Sequence, residues 1–102
     1  MAGWSLSPLA VDDLIEILDY LADEAGVDVA DKVEIDFYAA FDLLAHSPRI
    51  GYRDEDLTGP GVRRWVVHRY LVFYDPETIP LRVLRIIHGM RDLPTVLRRS
   101  GQ

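Results

Sequence analysis

The sequence predicts an α+β fold: an N-terminal strand, an antiparallel helical hairpin and a small antiparallel β-sheet, in the order β-α-α-β-β-β. Three observations lead there. Apolar residues recur at helical spacing in two long stretches, Val11 to Ala25 and Ala30 to Leu44. Only a few residues separate these stretches, so the two helices pack antiparallel. After Val62 the pattern changes to short β-branched and aromatic runs. Their connections are too short for parallel crossovers, which makes them an antiparallel meander.

Each element has its own signal. From Ala2 to Ser7, Trp4 and Leu6 alternate with smaller or polar residues, as in a strand. Ser7-Pro8 reads as a helix cap followed by a first-turn proline. Val11, Leu14, Ile15, Leu18, Leu21, Ala22 and Ala25 then make an apolar face, and Gly26 ends the helix. Asp28 can cap a second helix whose stripe is Ala30, Val33, Phe37, Ala40, Phe41 and Leu44, ending near His46-Ser47-Pro48. Arg49 to Gly61 reads as a loop. Val62 to Val67 and Tyr70 to Tyr74 form a hairpin across His68-Arg69, and Asp75 to Thr78 makes the next turn. Leu81 to His88 is the last strand, with Leu81, Val83, Arg85 and Ile87 on one face by simple alternation. Leu93 to Arg99 reads as a short helix or an extended tail. The first strand joins the same sheet, and residues 1–102 are expected to form one domain, with helices on one face of the sheet.

With 102 residues, 49% of them hydrophobic, the chain can bury a modest core. It has no cysteine, so disulfides and thiolate metal sites are excluded, which fits a reducing, cytoplasmic setting. No apolar run nears the ~20 residues of a membrane span. The opening Met1-Ala2-Gly3-Trp4 lacks the basic and apolar segments of a secretory signal. The net charge of −6 is unevenly divided. Met1 to Pro48 carries one Lys against eleven Asp and Glu, a net −10, whereas Arg49 to Gln102 carries ten Arg against six, a net +4. An acidic first half is a poor match for nucleic acid. The cations of the second half are all Arg, which pairs bidentately with carboxylates and phosphates.

Several short motifs, in order along nearly the whole chain, resemble the RelE/ParE superfamily of toxins. They begin with Leu6-Ser7-Pro8, Asp13-Leu14, Ile17 and Asp19-Tyr20. Leu44 to Gly51, Arg53, Asp56-Leu57 and Gly61-Val62-Arg63 follow. The most specific are Arg69-Tyr70-Leu71-Val72-Phe73-Tyr74 and, further on, His88-Gly89-Met90-Arg91-Asp92. The resemblance is nearest to the ParE branch. It implies two helices against a curved antiparallel sheet and a cognate, ParD-like antitoxin in a hetero-oligomer. It also implies one of two activities: ParE-like toxins poison DNA gyrase, and RelE-like toxins cut mRNA on the ribosome.

Two basic groups are candidate sites. Arg85, His88 and Arg91, with Tyr74, have the residue types that 2′-hydroxyl attack on RNA requires: a proton shuttle, and cations for the crowded phosphate. The plainer alternative is that His88 closes the strand and Arg91-Asp92 is a charged turn. Arg63, Arg64, His68 and Arg69 can grip an acidic antitoxin segment or a gyrase surface, or can simply solvate a sheet edge and prevent aggregation there. Tyr70 is a further contact candidate, since aromatic rings stack on bases and anchor interfaces, whereas Phe73 reads as core. His46, His68 and His88 lie on three different elements with no metal-ligand spacing, and no phosphate loop or nucleophile elbow is present, so no metal or cofactor is expected.

Besides a binding module with no surviving toxicity, two functions remain open at the level of sequence. One is a ParE-like toxin, without catalytic residues, that inhibits growth by binding gyrase. The other is a RelE-like ribosome-dependent endoribonuclease. The acidity of the chain favours the first, because RNA binding draws on many cation–phosphate contacts.

Overall fold

Ser7 ends the first strand and starts the first helix in one step. In the computed structural model, which describes residues 3–53 and 60–89, its backbone N–H donates to Val83 O at 2.9 Å. Its hydroxyl accepts from Ala10 N–H at 3.1 Å and donates to Leu84 O at 2.7 Å. One buried serine thus caps a helix and ties it to a distant strand.

Strand β1 (Trp4–Leu6) leads into α1 (Pro8–Ala25), α2 (Val27–His46) and a single 3-10 turn at Pro48–Ile50. Strands β2 (Tyr52–Arg53), β3 (Arg63–Val67), β4 (Tyr70–Asp75) and β5 (Leu81–His88) follow. Gly26 joins the helices with φ at 102°, a left-handed backbone that glycine adopts without strain. The second helix therefore starts at Val27, with Gly26 as its cap. Asp28 is not that cap: it lies in the first turn, where its carboxylate favours the positive end of the helix dipole.

The sheet has five strands in the order β1-β5-β4-β3-β2. Strands β2 to β5 run antiparallel to one another. β1 lies parallel to β5, with Trp4 opposite Leu81 and Leu6 opposite Val83. The helical hairpin between them is ample for the crossover a parallel pair requires. β2 falls inside the stretch expected to be loop: two residues suffice to pair Tyr52 with Arg64 and Arg53 with Arg63. The expected helix or tail from Leu93 to Arg99 lies outside the described residues.

Alternation along β5 breaks once. Phe73 pairs with Arg85 but Tyr74 pairs with Val83, so Leu84 is the extra residue of a β-bulge. The bulge switches the faces. Leu81, Val83 and Ile86 all join the helix-side cluster. Arg85 and Ile87, which unbroken alternation would group with Val83, share the opposite face with Phe73 and Leu71.

The main core lies between this sheet and the helices. Phe37, Phe41 and Leu44 of α2 meet Val72, Tyr74 and Val83, all fully enclosed. Burial of each such side chain contributes about 1.5–3 kcal/mol. Trp4 packs on the same cluster, edge-on to Phe41 and stacked on Tyr38, and its indole N–H donates to Asp42 Oδ1 at 2.8 Å.

Candidate functional site: the arginine-bearing side of the sheet

The charge division becomes a spatial one. All eleven acidic residues of the first half lie on α1 and α2, and the arginines begin with the 3-10 turn and the strands. One layer is acidic and the other cationic.

Within the cationic layer several arginines already hold the fold together. Arg85 makes a two-pronged contact with Asp13 of α1: Nε donates to Oδ2 at 2.7 Å and Nη2 to Oδ1 at 3.0 Å. Asp13 Oδ2 also accepts the backbone N–H of Ile86 at 2.9 Å. That contact occupies the edge of β5 beyond the end of β1. Donating to the Asp13 carboxylate strengthens the protonated state of Arg85, although partial burial opposes it. Arg63 donates from Nη1 to Gly51 O at 2.9 Å and Arg49 O at 3.2 Å, clamping the 3-10 turn. Arg49 in turn meets Glu77 at 2.6 Å across the surface.

Tyr74 stands in the core. Its hydroxyl donates to Pro48 O at 2.6 Å and accepts Gly51 N–H at 3.0 Å. A Cβ at Gly51 would collide with that hydroxyl, so only glycine fits there. Burial, first, raises the Tyr74 pKa above the ordinary 10.0, while Gly51 and Arg63 oppose the shift. Tyr70, a surface-contact candidate by sequence, is 7% exposed and belongs to the helix-side cluster. Its ring tilts against Phe37 at 5.6 Å and meets His88 edge-on at 5.4 Å. The same alternation that puts Tyr70 beside Val72 and Tyr74 turns it toward α2.

His68 and Arg69 form the β3–β4 turn, both exposed, with His68 at φ 55°. His68 Nε2 donates to Asp36 Oδ2 of α2 at 2.6 Å, and Lys32 sits 3.7 Å from the same oxygen. The His68 hydrogen bond, the largest influence, holds the Asp36 carboxyl below its usual 3.8. The turn is thereby fastened to the acidic layer. Arg64 is half-buried on β3, opposite Phe73. Arg69 and Arg82 are exposed. Arg91 lies outside the described residues.

The three described residues proposed for RNA cleavage, Tyr74, His88 and Arg85, do not all share one face. Tyr74 and His88 point to the helix side, whereas Arg85 shares the opposite face with Phe73. Sequence reasoning missed Asp13, Asp36 and Gly51 as the partners of Arg85, His68 and Tyr74. Asp13 carried a signal: three residues after Ala10 and four before Ile17, it borders the apolar stripe, where a solvated carboxylate has no reason to sit.

Residues 5–93 match the family described as "ParE toxin of type II toxin-antitoxin system, parDE". The chain belongs to the ParE toxin family. The fold agrees. A solved structure titled "Chromosomal ParDE TA system from P. aeruginosa" superposes with a TM-score of 0.72. It is 21% identical, with 86% of this chain and 96% of that chain covered. A search of curated proteins gave no match. Among the described residues of this ParE-family toxin, no helix is long and apolar enough to cross a membrane. None of them forms a group of three or more His, Cys, Asp or Glu able to hold a metal ion.

Proposed function

We propose that this ParE-type toxin arrests growth by binding DNA gyrase and is neutralised by a cognate antitoxin that grips its cationic layer. The carrying observation is the segregation of charge: an acidic helical layer on one side, and exposed Arg69 and Arg82 with His68 on the strands and turn of the other. A negatively charged partner segment meets attraction on the sheet and repulsion on the helices, which fixes its side and speeds its approach. The P. aeruginosa relative is titled as a ParDE system, and a paired antitoxin is the natural extension to this chain. The protein acts in the cytoplasm, where gyrase works, as one domain and without a cofactor.

Binding fits the geometry better than cleavage does. Tyr74 has its hydroxyl committed to two backbone groups, and Arg85 is committed to Asp13. Neither is presented to a substrate. The deciding experiment is a supercoiling assay with purified gyrase. Added toxin is expected to block supercoiling, with relief on adding the antitoxin encoded beside it. Full supercoiling at a large molar excess of toxin, together with cut transcripts in arrested cells, would transfer the assignment to ribosome-dependent mRNA cleavage.

A further inference from the structure

Two residues, His68 and Arg69, make the whole β3–β4 turn, and neither is one of the usual turn formers. His68 takes φ at 55°, where turns of this length prefer glycine, asparagine or aspartate. Two hydrogen bonds hold the turn there, one to each residue. His68 Nε2 donates to Asp36 Oδ2 at 2.6 Å, and Arg69 O accepts Gly89 N–H at 2.7 Å. Asp36 is itself steadied by Lys32, one helical turn earlier and 3.7 Å from the same oxygen. The turn is thus gripped from α2 on one side and from the end of β5 on the other. The Arg69 guanidinium differs from those of Arg49 and Arg85, which are paired with carboxylates. It is exposed and makes no ion pair among the described residues.

We propose that Asp36 is a positioning residue for partner capture: through His68 it holds the β3–β4 turn in the shape that presents Arg69 to an acidic partner segment. This role rests on the reading of the cationic layer as the antitoxin's contact, and it adds to that contact an acidic residue of the opposite layer. The physical reason is preorganisation. A cation on a turn already in its bound shape loses little conformational freedom when a carboxylate meets it, whereas one on a loose turn must be ordered first. The charge of Asp36 works the other way. A carboxylate beside the turn repels an acidic segment, so a role through charge alone means that removing it strengthens binding. Position and charge therefore give opposite outcomes for the same residue.

Binding of the purified antitoxin encoded beside the toxin separates the two. Asp36→Ala removes the acceptor and is expected to weaken binding roughly tenfold. Asp36→Asn keeps an oxygen for the His68 N–H and should stay within about twofold of the unaltered chain. The Gly89 N–H reports on the turn without any partner. In Asp36→Ala its hydrogen exchange should quicken roughly tenfold, with the Val72 amide in the middle of the sheet unchanged. Adding His68→Asn to Asp36→Ala should bring binding back, because asparagine adopts a left-handed turn backbone unaided. Any of four results overturns the proposal: Asp36→Ala binding as tightly as the unaltered chain or tighter, Asp36→Asn losing as much as Asp36→Ala, Gly89 exchange left unmoved, or no recovery with His68→Asn. Arg69→Glu keeps this failure apart from failure of the underlying reading. If Arg69→Glu weakens binding and Asp36→Ala does not, the turn is a contact and only the positioning role falls. If neither weakens it, the turn is no contact and both fall.

Discussion

The Asp13 carboxylate of α1 accepts three hydrogen bonds, two from the Arg85 guanidinium and one from the Ile86 backbone of β5. The contact spans 72 residues of sequence and seals a sheet edge with a helix side chain. Both side chains are mostly buried, at 14% and 18% exposure.

Asp13→Ala strands a mostly buried guanidinium and an edge N–H together. The expected loss is about 2–4 kcal/mol in urea unfolding. Arg85→Met in the same chain removes the orphaned charge, so the double variant should lose less than the sum of the two single losses. Additive losses would mean that the pair is not coupled.

Gly51→Ala sets a methyl group against the Tyr74 hydroxyl and the Arg64 carbonyl. Overpacking of this kind costs about 1–3 kcal/mol, and thermal unfolding should fall accordingly. Tyr74→Phe relieves the hydroxyl but leaves Pro48 O and Gly51 N–H without it, for about 1–2 kcal/mol. The raised Tyr74 pKa gives an alkaline signature. In the unfolded chain the phenol ionises near its ordinary value, whereas in the folded chain it does so later. The stability is therefore complete below that value and is lost as pH rises through the folded one. Tyr74→Phe should flatten this alkaline limb.

The Asp36–His68 contact acts at the opposite end of the pH scale. The lowered Asp36 pKa means that its contribution is fully present above the ordinary aspartate value of 3.8. It is lost as pH falls through the lower folded value. His68→Ala should therefore lower the melting temperature slightly at neutral pH, with the gap to the unaltered chain closing in strong acid. A gap independent of pH would mean that His68 acts by packing alone.

Arg69→Glu tests the cationic layer directly. The side chain is exposed, so stability should change by about 0.5 kcal/mol or less. Association with the antitoxin should slow, and the remaining rate should depend less on salt. An unchanged association rate would remove the β3–β4 turn from the contact surface.

Much of the layout was legible in the sequence because it rests on periodicity. The helical stripes ending at Ala25 and Leu44, the Ser7 cap and the β4 and β5 strands all follow local spacing. Three features were not readable that way. The run Leu81 to Ile87 alternates cleanly on paper, and nothing local marks Leu84 as the bulge that sends Arg85 to the other face. β2 pairs over just two residues, fewer than any pattern can register. Tyr70 carries a polar tip, yet the packing of its ring against Phe37 and His88 draws it inward. At the candidate site, residue types pointed correctly to cationic strands. The carboxylates that engage them sit 32 and 72 residues away in sequence, and only the tertiary structure joins them.

β1 finds its place only against β5, across some eighty residues of chain, with Trp4 opposite Leu81. During synthesis the first strand to emerge must wait for the last before it has a neighbour, and α1 has no sheet edge to seal until then. Contacts this remote in sequence slow folding. The edge strand and the α1–β5 clamp therefore form together and late, once Leu81 to Ile86 are available to receive them.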